Sequence, residues 1–368
     1  MRIAFLSHLD LNLYLFRLPV MKKLVELGHT VYAICPKGGV FDKFANFDIK
    51  AIDYKIQRNS LNPFNEIKTV YEIKKVAKSL ELDILHTFMH KPNIYGNLTG
   101  VSNRINTITG LGSFFIHNDF KSKLIRSIIL NLYRFTCKDS KRVIFQNSDD
   151  LKFFVNEGIV SKEKAVLVKS SGIDTKEFKP IPKNKRLLEE LVLDGKIIVL
   201  MIARIIKDKG VNEYIEAANR LKDKAIFLYV GDVDKGNKNA FYPEWGCVKY
   251  LGFRRDIKEL ISICDIFVLP SYREGVPRTL LEAASLAKPI VTTDAVGCKE
   301  VVEDSINGFL VPIKESYILS KKIEALIENK ELRDKFGKAS RVKAEVEFDV
   351  NVVIKKYLQV YKDTITQI

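Results

Sequence analysis

The sequence predicts an α/β protein: two doubly wound, parallel-sheet, Rossmann-like domains facing a central cleft. Three observations carry that expectation. Short apolar, β-branched runs alternate with amphipathic helical stretches along nearly the whole chain, as right-handed crossovers onto a parallel sheet require. The pattern restarts once, near residue 196. Between the two series lies DTKEFKPIPKNKR (174–186), a polar, lysine-rich stretch with Pro180 and Pro182 that suits an exposed connection. At 368 residues the chain is long enough for two domains.

In the first series RIAFLS (2–7), TVYAICP (30–36), DILHTF (83–88), INTITG (105–110), RVIFQN (142–147) and AVLVKSS (165–171) read as strands, with helical stretches such as FRLPVMKKLVELGH between them. In the second, KIIVLMIA (196–203), AIFLYVGD (225–232), DIFVLPS (265–271) and PIVTTD (289–294) read as a second parallel sheet. The expected domains are 1–174 and 175–349. The closing stretch FDVNVVIKKYLQVYKDTITQI is an amphipathic helix with no strand after it, so 350–368 is expected to pack back on the first domain.

Composition narrows the function classes. Hydrophobic residues make up 46% and charged residues 29%, which is ordinary globular usage. Cys35, Cys137, Cys247, Cys264 and Cys298 stand singly, which fits neither a zinc site nor a disulfide framework and points to a reducing cytoplasm. The opening MRIAFLSHLD enters a strand directly, without a signal-peptide pattern, and no apolar run reaches the roughly 18 residues of a membrane span. Residues 1–180 hold 28 Lys+Arg against 17 Asp+Glu, a net of +11, which leaves +4 for the rest. A basic excess favours phosphorylated substrates, nucleic acid or an acidic membrane face, and a solvated lysine surface fits equally. The basic residues do not interleave with aromatics in a nucleic-acid motif, so no nucleic-acid partner is expected.

The stretch SYREGVPRTLLEAASLAKP (271–289) places Glu274 and Glu282 on either side of a turn that follows a buried strand. Pro277 suits the first position of a helix running to about Leu286. The N–H groups of Arg278, Thr279 and Leu280 would then face a phosphate at the helix start. Glu282, one turn beyond Arg278, is positioned to accept hydrogen bonds from a sugar diol such as a ribose. In ARIIKDKG, Arg204 and Lys209 sit in a loop at the carboxyl edge of the sheet, where fixed cations stabilise the charge of a departing diphosphate. The spacing suits one ligand with a sugar at each end and phosphates between.

These residues, as AR-x4-KG and E-G-x-P-x4-E, resemble the donor-site signature of the retaining glycosyltransferases of family 4, which have the GT-B fold. SSGIDTKEFKP (170–180) is similar to the segment before their interdomain linker. FRLP (16–19), HKPN (90–93), GLGSFFI (110–116) and LPSYREG (269–275) resemble the members that add N-acetylgalactosamine to lipid-linked diacetylbacillosamine in bacterial protein N-glycosylation. The resemblance implies that Arg204 and Lys209 grip the donor diphosphate, Glu282 the ribose, and Glu274 with the Gly275–Val276 backbone the transferred sugar; Arg254 falls where the base is contacted. It implies a UDP-sugar donor bound by the second domain and a polyprenyl-diphosphate-linked sugar acceptor bound by the first. It also implies retention, with the leaving phosphate helping to deprotonate the acceptor. Two departures stand out: SHLDLNLY has no glycine where many members do, and the loop after FLYVGD lacks a clean Gly-rich pattern.

In the first domain His90 follows a strand end. The resemblance implies contact with the donor sugar or help with the acceptor; a hydrogen-bonded structural histidine is the other reading. His8, Gly110 and Gly112 join it as cleft candidates. Arg17 and Lys91 are candidates for an acceptor diphosphate, with Arg17 also readable as a helix-surface charge. His86 reads as core or supporting shell, and His29 and His117 get no role. NDFKSKLIRSIILNLYRFTCK (118–138) puts Leu124, Ile128, Leu132 and Phe135 on one helical face and Lys123, Arg126 and Arg134 opposite. That pattern fits core on one side and water on the other, and it also fits docking on an anionic membrane. GDVDKG (231–236) contains a D-x-D but reads as a loop, so no essential metal or other cofactor is expected.

The leading expectation is therefore an enzyme peripheral to the cytoplasmic membrane's inner face. The alternatives are a family 4 enzyme of lipopolysaccharide, O-antigen or capsule synthesis, a sugar-nucleotide epimerase of the same fold, and a silent nucleotide-sugar sensor.

Overall fold

The structure, a computed structural model, describes residues 1–57, 62–193 and 195–366. It divides into two units: unit 1 is Met1–Ser171 with Val350–Ile368, and unit 2 is Gly172–Asp349.

In unit 1 the described strands are β1 (Arg2–Leu6), β2 (Thr30–Ile34), β3 (Lys50–Ile52), β4 (Ile84–Phe88), β5 (Arg104–Ile108), β6 (Arg142–Phe145) and β7 (Ala165–Leu167). They pair in parallel in the order β3-β2-β1-β4-β5-β6-β7. The central strands are buried without alternation because helices cover both faces, even where β4 carries His86 and Thr87 and β5 carries Asn106 and Thr107. On one face the helices Asp10–Phe16, Leu18–Glu26 and Val350–Ile365 enclose Phe5, Leu13, Met21, Leu24, Val353 and Tyr357. On the other, the helices Pro63–Ser79, His90–Gly96, Phe120–Thr136 and Ser148–Asn156 bury Ile73, Tyr95, Tyr133 and Phe154.

The last helix is fastened by polar as well as apolar contacts. Tyr361 Oη lies 2.7 Å from His86 Nδ1, and Arg17 Nη1 donates to Tyr357 Oη at 3.2 Å. Arg17 corrects an expectation. It is 2% exposed, with its guanidinium 4.5 Å from the centre of the Phe88 ring, so it is neither a surface charge nor open to an acceptor diphosphate. The helix packing that buries its stem also buries its charge. The expected range 350–368 runs onto residues 367–368, which lie outside the described residues.

In unit 2 the described strands are β8 (Ile197–Ile202), β9 (Ala225–Val230), β10 (Lys249–Tyr250), β11 (Ile266–Leu269), β12 (Ile290–Thr293) and β13 (Gly308–Val311). All pairs are parallel, in the order β10-β9-β8-β11-β12-β13. The crossover helix Val211–Leu221 buries Val211, Tyr214, Ile215, Ala218 and Leu221 at helical spacing. Tyr214 Oη also bonds the Val199 and Leu228 carbonyls at 3.0 and 2.8 Å. The stretch 174–186 belongs to unit 2 and is held down despite its polarity. Arg341 Nη1 donates to the Thr175, Phe178 and Ser285 carbonyls at 3.0, 3.1 and 2.7 Å.

Both sheets reverse direction at their first strand, between β1 and β4 and between β8 and β11. Open α/β sheets bind ligands at the carboxyl edge of such a switch point.

Candidate active site

In unit 2 the loops after β8 and β11 meet at the switch point. Gly210, at φ +72°, approaches the Pro270 carbonyl so closely that a Cβ would collide with it. This close approach draws the Lys207–Gly210 turn against the end of β11. Tyr272 N then donates to the Asp208 carbonyl at 2.9 Å, and Ser271 Oγ donates to the same oxygen at 3.2 Å.

Across this contact Lys209 Nζ forms an ion pair with Glu274 Oε1, which also accepts from Ser271 Oγ at 2.7 Å. Both side chains are largely buried, at 16% and 13% exposed, so the pair is shielded from water. The loop after β12 supports it from the other side. Glu274 N donates to the Val296 carbonyl at 2.9 Å, and Gly297, at φ +82°, lies against the Glu274 and Gly275 carbonyls with no room for a Cβ.

The helix after this loop spans Arg278–Ser285, with Pro277 as its N-cap at φ −71° and ψ 121°, one position earlier in role than its spacing predicts. Leu280 N donates to the Pro277 carbonyl at 3.1 Å, so its N–H is spent within the first turn and does not face a phosphate. Leu280 is itself fully buried, and Val276 packs on the core of the unit. Arg278 Nε donates to Glu282 Oε1 at 2.9 Å, an i,i+4 pair at the helix start beside Thr279. Burial raises the Glu282 carboxyl above its ordinary value, Arg278 pulls it back down, and the charge of Glu177 adds to the rise.

Arg204 is more than half exposed, and its Nη1 pairs with Asp234 Oδ2 at 2.5 Å. Asp234 is the second carboxylate of the D-x-D stretch, so that stretch serves here as an arginine partner. Among the described residues no group of three His, Cys, Asp or Glu is placed to hold a metal ion. Arg254 is clamped by Asp256, with Nε–Oδ1 and Nη2–Oδ2 at 2.8 and 2.5 Å, and its Nη1 lies 3.5 Å from Glu190 Oε1. Those carboxylates raise its pKa still further, the Asp256 hydrogen bond most.

In unit 1 His8 follows β1 and His90 follows β4, on the two sides of the switch point. His90 Nε2 lies 3.2 Å from the Leu111 carbonyl, which can only accept, so Nε2 carries the proton and Nδ1 accepts from Tyr133 Oη at 2.9 Å. Burial lowers its pKa, against a smaller opposing effect of the Leu111 carbonyl. Burial thus disfavours the charged imidazole, and both ring nitrogens are engaged. Gly112, at φ +73°, brings its backbone past His90, and Gly110 at φ +131° turns the same loop. Lys91 Nζ donates to Glu66 Oε1 at 2.7 Å and to the Gln57 carbonyl at 2.9 Å, and Tyr95 Oη bonds the other Glu66 oxygen.

Sequence reasoning missed Ser271, Asp234, Gly297 and Tyr133. A glycine in the short loop after β12, in DAVGCKE, was the available signal for Gly297; Asp234 and Tyr133 depend on partners far away in sequence.

Comparison with known proteins follows the same division. Residues 184–343 match the family described as Glycosyl transferases group 1, and residues 2–147 match Glycosyl transferase 4-like. The chain is also 38% identical, over all of both chains, to a Campylobacter jejuni protein named N,N'-diacetylbacillosaminyl-diphospho-undecaprenol alpha-1,3-N-acetylgalactosaminyltransferase. The chain belongs to this glycosyltransferase family. The Escherichia coli protein named UDP-Gal:alpha-D-GlcNAc-diphosphoundecaprenol alpha-1,3-galactosyltransferase shares 27% identity with the glycosyltransferase, covering 77% of this chain and 76% of its own. Anabaena HepE, solved in complex with UDP and glucose, superposes on the glycosyltransferase with a TM-score of 0.82 at 21% identity, covering 98% and 99% of the two chains. That likeness shows the GT-B fold.

Proposed function

We propose that this glycosyltransferase moves N-acetylgalactosamine from UDP onto undecaprenyl-diphospho-N,N'-diacetylbacillosamine, with retention, at the inner face of the cytoplasmic membrane. The observation that carries the reading is the 38% identity over full length to the Campylobacter jejuni transferase of that name. The unit 2 site supports it chemically. A donor diphosphate at the switch point would exchange Asp234 for phosphate at Arg204 and share Lys209 with Glu274. Both exchanges put fixed positive charge on the leaving group as the glycosidic bond breaks. Glu282, buried at the helix start, would take the ribose hydroxyls, and Glu274 with the Gly275 and Val276 backbone the transferred sugar. The leaving phosphate would accept the acceptor hydroxyl's proton, so no side-chain nucleophile is needed. With two cations on the diphosphate, turnover would need no divalent metal.

Among the described residues no helix is long and apolar enough to cross a membrane. The proposed membrane contact is the helix Phe120–Thr136. Its buried residues are Ser122, Tyr133 and Thr136, whereas Phe120, Leu124, Ile128, Leu132 and Phe135 are exposed. An apolar stripe left in water beside lysines suits an anionic bilayer.

The test incubates the purified chain with UDP-N-acetylgalactosamine, UDP-N-acetylglucosamine, UDP-galactose or UDP-glucose and with undecaprenyl diphosphates bearing diacetylbacillosamine or N-acetylglucosamine. An α-1,3 N-acetylgalactosaminyl product on the bacillosamine lipid, identified by mass and NMR, is expected. Preferred transfer of galactose to the N-acetylglucosamine lipid would favour the activity named for the Escherichia coli relative. No transfer to any lipid would refute both.

A further inference from the structure

In unit 2 the segment 232–240, between β9 and β10, is laced along the loop that carries Arg204 and Lys209. Ile205 N donates to the Asp232 carbonyl at 2.9 Å, and Lys207 N donates to the Asn239 carbonyl at 3.0 Å. Ile205 bridges Val233 in parallel and Ile206 bridges Ala240 in antiparallel sense, so the two ends of the segment flank the continuation of β8. Between them the segment closes its own turn. Asn237 N donates to the Asp234 carbonyl at 2.8 Å, and Asn237 Oδ1 accepts from Asn239 N at 2.9 Å. The turn presents two side chains to the loop after β8: Asp234 meets Arg204, and Asn239 Nδ2 donates to Asp208 Oδ2 at 2.9 Å.

We propose that Asn239 is a positioning residue for the donor diphosphate, acting through Asp208 on Lys209, a role that rests on the diphosphate site proposed above. Asp208 is 5% exposed. Its carbonyl is held from the β11 side by Tyr272 N and Ser271 Oγ, and its carboxylate from the β9 side by the Asn239 amide. The backbone of Lys209, the next residue, is thereby fixed between the two loops. Charge stabilises a leaving group best when it stands in place beforehand, and a displacement of about 1 Å can cost about 100-fold in rate. A neutral amide suits this place. It satisfies a buried carboxylate without adding a further cation that would compete with Lys209 for the phosphates.

The test measures UDP and UMP binding to the full chain by calorimetric titration, with thermal melting alongside. The ratio of the two affinities reports contacts to the second phosphate. Lys209→Ala, which removes a cation proposed to touch it, is expected to lower the ratio about tenfold or more. Asn239→Ala is expected to lower it about three- to tenfold, with UMP affinity within about twofold of the parent. Asn239→Asp, which sets a second carboxylate against Asp208, is expected to lower it further. Asp208→Asn combined with Asn239→Asp restores one amide and one carboxylate with the ends exchanged, and is expected to recover most of the parent ratio. These two variants carry the test if Asn239→Ala does not fold. An unchanged ratio in Asn239→Ala, or equal weakening of UDP and UMP with a lowered melting temperature, would overturn the positioning role, as would no recovery in the exchanged pair. A ratio that Lys209→Ala leaves unmoved would instead overturn the diphosphate site itself, so the two failures are told apart.

Discussion

Replacing Lys209 by alanine removes one of two cations proposed to hold the leaving diphosphate and also strands Glu274. The two effects can be sized separately. Removing one partner of a fully buried ion pair costs about 3–5 kcal/mol. Here the side chains keep 16% and 13% exposure, and Ser271 still donates to the orphaned carboxylate. The stability loss should therefore be about 1–3 kcal/mol. For a domain of this size about 2 kcal/mol lowers the melting temperature by about 4–8 °C. The catalytic loss is larger: removing one preorganised donor to developing charge costs about 100- to 1,000-fold in kcat. Lys209→Met combined with Glu274→Gln separates the two effects. The paired variant is expected to regain most of the melting temperature while turnover stays low, since its buried pair is neutral. The assays are thermal melting and initial rates of sugar transfer at saturating donor. Turnover of Lys209→Ala within a few-fold of the parent would refute the leaving-group role, whatever the melting temperature does.

Four further outcomes concern the two units. The Glu282 carboxyl, raised by burial, accepts ribose hydroxyls more strongly when ionised, so UDP affinity should fall as pH drops through a pKa above the ordinary 4.5. The sign for folding is opposite: ionising this buried group makes unit 2 less stable as pH rises through that range. Calorimetric titration should show the affinity trend flattened in Glu282→Gln. Gly297→Ala, at a positive φ and against two carbonyls, should displace the 274–275 backbone, lowering the melting temperature and weakening UDP binding together. Arg17→Met should change the stability of unit 1 and leave the acceptor KM within about twofold, because the side chain is sealed beneath Tyr357 and Phe88. Turnover should persist in EDTA; loss of activity restored by magnesium or manganese would contradict two-cation stabilisation.

The central strands were legible because each is a continuous buried run, as in IIVLMI of β8 and AIFLYV of β9. The strands β3, β10 and β13 were not, since two to four residues at or near a sheet edge show no period. Lys209 and Glu274 could be named from their motifs, whereas their pairing depends on Gly210 meeting Pro270 across 60 residues. Arg17 was misread because a lone arginine after LYLF looks like a surface charge until the last helix is laid over it. The apolar face of the helix Phe120–Thr136 was correctly grouped, but its direction toward solvent is set by Tyr133 and Thr136 taking the inward side.

A crystal structure of the chain with UDP bound tests the account most directly. The diphosphate is expected at the β8–β11 switch point, within about 3 Å of both Arg204 and Lys209, with the ribose on Glu282. A diphosphate that contacts neither cation, with Arg204 still on Asp234 and Lys209 still on Glu274, would contradict it.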